Sequence, residues 1–329
     1  MIRTGSAKTR WTAALSLYDG VFSPNIEIGE EVMSQFKAPL VQPELAREIA
    51  PGVIVLPDPH INLVPNIGIV IGTDAVLVID SGLGRENGKR VLQKAGEVAG
   101  EKTLLLTTTH FHPEHAFGTQ AFKGHATIIA NTTQGEELRE KGAFFLNLFR
   151  GLDPVVKEQL EGVELMMPDE TYQGEKVIDL GGKRVVLREL AGHTRGDQII
   201  FLPHERVLFT GDLVENHLFP IFPDQDAHMT QWIAALAQLI DLSPATVVPG
   251  HGDLETVELV QEVRDHLIFV REEVNRRIKE GQTLDLIDQE AARSIKERYQ
   301  DWGNDLWIPF EIRSVYAELT GTPLKVPSL

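Results

Sequence analysis

Cysteine is absent from this 329-residue sequence, so disulfide bonds, thiolate nucleophiles and thiolate metal ligands are all excluded. Any metal chemistry must therefore rely on histidine and carboxylate side chains. Long hydrophobic runs are absent too, because no stretch reaches the roughly 18 apolar residues that a membrane-spanning helix requires. We therefore expect no membrane partner, and the length allows a substantial core that needs no covalent crosslink.

Positive charge is scarce: 31 lysine and arginine residues face 48 aspartate and glutamate residues, which gives a formal charge of −17. The longest basic clusters are pairs such as Lys183-Arg184, whereas binding to nucleic-acid phosphates needs concentrated positive charge. The composition thus argues against a nucleic-acid partner and favours a small-molecule substrate. The apolar run at residues 11–17 is followed by no convincing cleavage site, so we expect a cytoplasmic location, with secretion or a periplasmic location as the alternative.

The middle of the chain, residues 53–251, alternates short β-rich runs with helical stretches, which predicts an α/β or layered α+β fold. These runs are Val53–Leu56, Ile67–Ile71 and Ala75–Ile79, followed by residues 103–106, 185–187, 198–202, 206–209 and 246–248. We expect three regions: an N-terminal extension at 1–50, a main domain at 51–253 and a C-terminal helical extension at 254–329.

The C-terminal extension has apolar residues spaced by three and four, which is typical of one buried helix face. These residues are Val260, Val263, Leu267, Val270, Val274 and Ile278. The stripe predicts packing against the main domain. The alternative is a contact between two copies of the chain, which would make a homo-oligomer.

Several apolar runs lead into polar residues at sharp turns. The residues in these turns are Asp80, His110, His193, Asp212 and His251. Residues at the ends of strands of one sheet can converge on one edge of it, where binding sites commonly lie. Positions far apart in the chain are therefore expected to share one pocket.

The strongest local signal is three histidines and a carboxylate within six residues: His110, His112, Glu114 and His115. His110 and His112 are two positions apart after an extended run, so their rings should point to the same side. Pro113 suits the first turn of a helix, which would present Glu114 and His115 from another direction. Two clusters of nitrogen and oxygen donors from one turn are typical of a site for two adjacent cations.

This run resembles the HxHxDH signature of the metallo-β-lactamase superfamily, with Glu114 in place of the usual aspartate. Other motifs of the family follow in order: residues 192–197 are similar to its GHT-x-G segment, Asp212 to its strand-terminal aspartate and residues 249–252 to its PGHG ending. Asp80 resembles the buried structural aspartate behind the site. The resemblance covers about residues 50–255.

The resemblance implies an αββα sandwich as the catalytic domain, with a two-metal site at one edge. It implies that His110, His112 and His193 hold the first metal and that Glu114, His115 and His251 hold the second. Asp212 would bridge the two ions, and Glu114 would add proton transfer. The expected cofactor is zinc, two ions per chain, with manganese or iron as alternatives.

Two divalent ions would supply hydroxide at neutral pH without a serine or cysteine nucleophile. The resemblance therefore implies a metal-dependent hydrolase, and we expect its substrate to be a small ester, lactone or thioester. The alternatives are a β-lactam or xenobiotic (dehalogenating) hydrolase, a mononuclear iron sulfur dioxygenase, and a non-catalytic descendant that binds a partner. The β-lactamase groups that use a cysteine ligand are excluded by composition.

Some further residues are candidates for contact with the substrate. His60 lies in an Asp-Pro-His turn, and His217 and His228 flank the loop after Asp212. Phe219 and Phe222 lie in a stretch, 215–228, that is expected to overhang the site, although ordinary core packing is the default for such aromatic residues. His266 lies beside the apolar stripe of the C-terminal helix and is expected to be a packed or surface residue.

Overall fold

Short runs rich in valine, isoleucine and leucine form the strands of two stacked sheets. The structure is a computed structural model that describes residues 37–223 and 225–323. Most of the N-terminal extension expected at 1–50, including the apolar run at 11–17, lies outside the described residues. The strands are β1 (Arg47–Ala50), β2 (Val53–Leu56), β3 (Ile67–Ile71), β4 (Ala75–Ile79), β5 (Thr103–Thr107), β6 (Thr127–Asn131), β7 (Glu170–Tyr172), β8 (Glu175–Asp179), β9 (Arg184–Leu190), β10 (Asp197–Leu202), β11 (Val207–Gly211) and β12 (Thr246–Pro249).

The first sheet has the order β1-β2-β3-β4-β5-β6-β7, and the second has the order β12-β11-β10-β9-β8. Strands β4 to β7 pair in parallel, and in the second sheet β11 pairs in parallel with β12. Ile79 at the end of β4 lies opposite Thr107 at the end of β5, and Gly211 lies opposite Pro249. These registers bring the polar turns that follow β4 and β5, and those that follow β11 and β12, to matching ends of their sheets.

Helices cover the outer faces of both sheets. They are α1 (Gly84–Ala99), α2 (Pro113–Ala116), α3 (Thr132–Arg150), α4 (Pro154–Gln159), α5 (Met229–Asp241), α6 (Val257–Lys279), α7 (Leu284–Arg298) and α8 (Ile308–Thr320), with 3-10 turns at Pro43–Leu45, Thr119–Phe122 and Asp305–Trp307. Asn131 starts α3 as an N-cap, because its side chain accepts a hydrogen bond of 2.7 Å from the backbone N–H of Gln134. Within the part of the chain that the structure describes, no helix has both the length and the apolar character needed to cross a membrane.

The space between the sheets is filled by the inward-facing apolar side chains of both, including Val55, Leu77 and Ile200. Phe209 of β11 reaches across to Gly68 of β3, where a Cβ atom would lie 2.6 Å from the phenyl ring. Glycine is therefore required at position 68 for the sheets to approach. The layers are helix, sheet, sheet and helix, so the predicted αββα sandwich is confirmed.

The apolar stripe of α6 packs onto the outer face of the second sheet. Val260, Val263 and Leu267 are buried in the same core cluster as Ile199 and Leu208 of that sheet. The helices α5, α7 and α8 contribute to this cluster as well. The C-terminal helices thus share a hydrophobic core with the second sheet, while the predicted contact between two copies of the chain stays a prediction.

Candidate metal centre and its cleft

Three histidine rings meet at the end of β5, where the chain turns into α2. The Nδ1 atom of His112 lies 2.9 Å from Nε2 of His110 and 2.9 Å from Nε2 of His193. All three residues are buried. The rings of His110 and His112 do point to the same side, as their spacing predicts, and His193 joins them from the turn between β9 and β10.

A second group of donors lies beside the first. Helix α2 begins with Pro113 and presents Glu114 and His115, while Asp212 follows β11 and His251 follows β12. One ligand atom from each of these four side chains lies within 4.8 Å of the others. The structure therefore brings all seven predicted ligands together, in the two groups that the family resemblance implies, with Asp212 beside the second group.

Asp212 faces both groups with different oxygens. Its Oδ2 atom lies 3.8 Å from Nε2 of His110 and 3.8 Å from Nε2 of His193. Its Oδ1 atom lies 3.2 Å from Nε2 of His115 and 3.9 Å from Nε2 of His251. A carboxylate between two sets of nitrogens, with one oxygen toward each, has the geometry of a bridging ligand.

Carboxylates and carbonyls behind the site fix the orientation of the rings. Asp80 accepts a hydrogen bond of 2.9 Å from Nδ1 of His115 and one of 2.6 Å from the backbone N–H of Thr109. Nδ1 of His193 donates to the carbonyl oxygen of Ile221 at 2.8 Å, since a carbonyl can only accept. In both rings Nε2 is therefore the nitrogen that faces the site.

Small residues and one buried carboxylate shape the turns that carry the ligands. A Cβ atom on Gly250 would lie 1.9 Å from Oδ1 of Asp212, so only glycine leaves room for that carboxylate. Asp197 accepts hydrogen bonds from the backbone N–H groups of His193 and Thr194. The turn that presents His193 is thereby held from behind by a side chain that faces away from the metal centre.

Burial and neighbouring charges set the protonation of these groups. Burial lowers the pKa of His110 and His112 well below the usual histidine value, and neighbouring histidines lower it further. Burial acts to raise the pKa of Asp212, but His115 and His251 outweigh it and hold that pKa well below its ordinary value. Burial acts to lower the pKa of His115, but Asp212 and Asp80 outweigh it and hold that pKa well above the usual histidine value. His110 and His112 are therefore ready to bind a cation, whereas a cation that binds His115 displaces its second proton.

The buried polar atoms of the two donor groups also fit a divalent metal, because the protein does not fully satisfy their hydrogen bonds. Oε2 of Glu114 is a buried atom that lacks a hydrogen-bond partner among the described residues, and Oδ1 of Asp212 and Nε2 of His115 are buried with only each other nearby, at 3.2 Å. Buried polar atoms without a partner are costly, and here they converge on one place. Imidazole nitrogens and carboxylate oxygens are ligands that zinc, manganese and iron accept.

A cleft of about 450 Å³ opens in front of the second group. Glu114 and His251 form part of its wall, and the predicted substrate residues His60 and His217 line it as well. The segment 215–218 forms one side, and Asn304 of the C-terminal region joins it. That side is tied to the C-terminal region, because Gly303 donates its N–H to the carbonyl of His217 at 2.8 Å and accepts from the N–H of Phe219 at 3.0 Å.

Three of the predicted substrate residues are not in the wall of this cleft. His228 precedes α5 and faces Glu318 of α8 at 3.2 Å, where it lines a different hollow. Phe219 is fully buried against His266 and Trp302, and Phe222 packs on Trp232. The loop folds inward at these phenylalanines because their rings gain more from the helical core than from overhanging the site.

Glu215 is a buried residue of this cleft that the sequence did not predict. It lines the cleft, is only 4% exposed and has a buried oxygen, Oε2, without a hydrogen-bond partner among the described residues. Burial raises its pKa well above the usual value, and Asp212 and Glu114 raise it further. Its position three residues after Asp212 was the available signal, because a residue so near a strand-end ligand is held close to the same site.

Comparison with known proteins agrees with this geometry. The family model described as "Metallo-beta-lactamase superfamily" matches residues 61–251, more than half of the chain. The chain belongs to the metallo-β-lactamase superfamily. Together with named hydrolases among its relatives, this makes it a metal-dependent hydrolase whose two groups of histidine and carboxylate side chains are placed to bind divalent metal.

Relatives and solved structures differ in their named substrates. The chain is 26% identical over 219 residues to an acyl-coenzyme A thioesterase, MBLAC2, of Gallus gallus, which covers 62% of this chain and 78% of the relative. It is 20% identical over 249 residues to a linear primary-alkylsulfatase of a Pseudomonas species, which covers 64% of this chain and 47% of that relative. The solved structure of the sec-alkylsulfatase Pisa1 from Pseudomonas sp. is similar in fold, with a TM-score of 0.64 at 16% identity, and covers 84% of this chain and 50% of the other.

Proposed function

We propose that this protein hydrolyses a small carboxylic ester, lactone or thioester at a centre of two zinc ions. The observation that carries the proposal is the arrangement of Asp212 between two complete donor groups, with one oxygen toward each. A single-metal site would need only one such group. The shared carboxylate therefore favours two ions over the mononuclear iron centre of a sulfur dioxygenase.

In this proposal His110, His112 and His193 hold the first ion, Glu114, His115 and His251 hold the second, and Asp212 contacts both. Ions bound there would supply hydroxide at neutral pH and polarise the acyl carbonyl of the substrate. The protein orients these groups through Asp80 and Ile221, which fix the rings of His115 and His193. It binds the substrate in the cleft beside Glu114.

Glu114 has a second role in the proposal, because it belongs to the donor group and also lines the cleft. Its carboxylate is 7% exposed and has one oxygen without a hydrogen-bond partner among the described residues. We propose that Glu114 accepts the proton released when water is activated. Asp212 positions both donor groups. General base catalysis needs a group of this kind within hydrogen-bond reach of the attacking water.

The named relatives act on two classes of substrate, acyl thioesters and alkyl sulfates, and the cleft distinguishes between them. An alkyl sulfate is an anion, and the described residues that line the cleft include no lysine or arginine to bind it. The carboxylates in the wall would repel it. A thioester is neutral at its reacting carbon, so the relationship to a named acyl-coenzyme A thioesterase supports thioester hydrolysis as the leading reaction within the proposed class. It does not extend to coenzyme A as the leaving group, because the acidic wall would repel the phosphates of coenzyme A as it would a sulfate.

The experiment is a substrate panel assayed on zinc-loaded protein with its metal content measured. Aryl esters, lactones and thioesters should be turned over faster than β-lactams, alkyl sulfates and phosphodiesters, at about two zinc ions per chain. Asp212→Asn should abolish turnover, whereas His204→Asn, at an almost fully exposed turn, should not. Turnover by a protein without a bound transition metal, or oxygen consumption with one iron per chain, would overturn the proposal.

A further inference from the structure

The cleft in front of the donor groups is lined by an excess of acidic side chains. Asp58, Glu114, Glu215, Asp253 and Glu255 all line it. The described residues in its wall include no lysine or arginine. Even with Glu215 protonated, the other four carboxylates and Asp212 behind them carry five negative charges against the four positive charges of two divalent ions, so the cleft would stay negative when loaded.

Glu215 separates this cleft from an ordinary acidic surface. Glu215 lines the cleft and is only 4% exposed. Its Oε2 atom has no hydrogen-bond partner among the described residues. Glu215 is also absent from both donor groups of the metal centre. A carboxyl group at the cleft wall, with one buried oxygen satisfied neither by the protein nor by the metal geometry, is a binding position for a donor on a ligand. A cation beside it would favour the ionised form and so offset the burial that raises the pKa of Glu215.

The other polar residues of the wall point to the kind of donor. Asn62, Asn216 and Asn304 line the cleft beside the carboxylates, and their amide oxygens accept hydrogen bonds. Phenylalanine, tyrosine and tryptophan are not among the described lining residues, so the wall lacks the aromatic faces that bind quaternary ammonium groups. Because the asparagine amides carry N–H donors as well, it is the excess of carboxylates in the wall, together with the lack of aromatic rings among the described lining residues, that suits a cation with N–H donors.

We infer that the substrate of this site carries a primary ammonium or guanidinium group, bound by Glu215 inside the cleft and by Asp253 and Glu255 at its rim. The inference rests on the proposed acyl hydrolysis and names the class of its substrate. The acyl group lies at the metal centre and the cation lies along the acidic wall. Asp253 is exposed, so an incoming ligand can reach its carboxylate, although the ligand would share it with Nε2 of His60 at 3.4 Å.

Three matched substrates test the inference. They are the aryl ester of an ω-amino acid, the same ester with a methyl group in place of the ammonium, and the same ester with a carboxylate there. At low salt the ammonium ester should exceed the methyl ester in kcat/KM by about tenfold or more, and the carboxylate ester should fall below the methyl ester. The preference should shrink as ionic strength rises, since exposed charges are screened.

A binding measurement keeps the two proposals distinguishable. Calorimetry measures the affinities of hexylamine and hexanol for the metal-free and the metal-loaded protein, and so reports the preference for a cation without turnover. The measurement on metal-free protein excludes coordination of the amine to zinc. Asp253→Asn with Glu255→Gln should lower the amine-to-alcohol ratio severalfold, whereas Glu272→Gln on the exposed side of α6 should leave it unchanged. Loss of all ester turnover with the amine preference intact would refute the acyl reaction and support the cation site. Equal affinity for amine and alcohol, or preference for the carboxylate ester, overturns the inference.

Discussion

Glu114 stands where the superfamily signature has an aspartate, and replacing it by glutamine separates its charge from its volume. The side chain is 7% exposed and is one of four donors in the second group. Loss of one charged donor should lower the affinity for the second ion by about 100-fold, which corresponds to about 2.7 kcal/mol of binding free energy. The first group, His110, His112 and His193, does not include Glu114, so the first ion should stay bound.

In metal-free protein, the same substitution should raise the stability of the fold and not lower it. Burial raises the pKa of Glu114, so the folded protein pays to keep this carboxylate ionised at neutral pH. Glu114→Gln removes that cost, and the metal-free variant should be at least as stable as the wild type. With excess zinc the order should reverse, because metal-linked stabilisation falls by the same 2.7 kcal/mol, or about 5 °C in melting temperature.

The assay is thermal unfolding with and without chelator, together with zinc titration by calorimetry. Glu215→Gln is the matched control, because Glu215 is equally buried and lines the same cleft but lies outside the donor groups. It should retain both zinc affinities within about tenfold. If Glu215→Gln lost the second ion and Glu114→Gln kept it, the assignment of the second site would be wrong.

Three further predictions address the ligands, the turn and the core. His193→Ala and His251→Ala should each lose bound metal and most activity. His266→Ala should keep its metal content, because His266 pairs with Glu311 at 2.9 Å in the helical core. Elemental analysis measures the metal, and metal loss in His266→Ala would contradict the assigned site. Gly250→Ala should reduce metal binding at least tenfold while circular dichroism stays native, since the new Cβ would displace Asp212; unchanged affinity would refute the steric argument. Burial raises the pKa of Glu311, so the folded state holds an extra proton above pH 4.5 and wild-type stability falls as pH rises through that window, by at most about 1.4 kcal/mol per pH unit. Urea unfolding of Glu311→Gln should show its stability gaining on the wild type from pH 4.5 to pH 7, and a constant difference would count against the buried carboxylate.

The strands that the sequence predicts are those whose apolar residues are buried on both faces. Ala75–Ile79 is fully buried and its bounds agree with the structure, as do those of β2 and β3. Three of the missed strands, β1, β7 and β8, lie at sheet edges, where one face is solvated and polar residues hide the pattern. The fourth, β6, lies inside the first sheet and is buried at four of its five positions, so edge position does not explain why it was missed. β1 has two exposed residues among four, and β7 has the sequence Glu-Thr-Tyr.

The metal centre was predictable for a related reason. Its ligands lie in turns directly after buried strands, so their spacing along the chain carries their position in space. The cleft wall was not predictable in this way, because Asn304 reaches it from a distant turn and only tertiary packing brings it there. Phe219 and Phe222 show the same limit, since the direction in which a loop folds is set by the core beneath it.

The short bridge between His217, Phe219 and Gly303 has a consequence for how this protein can change over time. The seven metal-facing side chains lie between residues 110 and 251, whereas Gly303 and Asn304 lie beyond the stretch that the family shares. Mutations near Gly303 can therefore reshape one side of the opening while the reactive centre keeps its geometry. Selection on which molecules enter and selection on how fast they react can act on separate parts of one gene, so new specificities can arise without a non-functional intermediate.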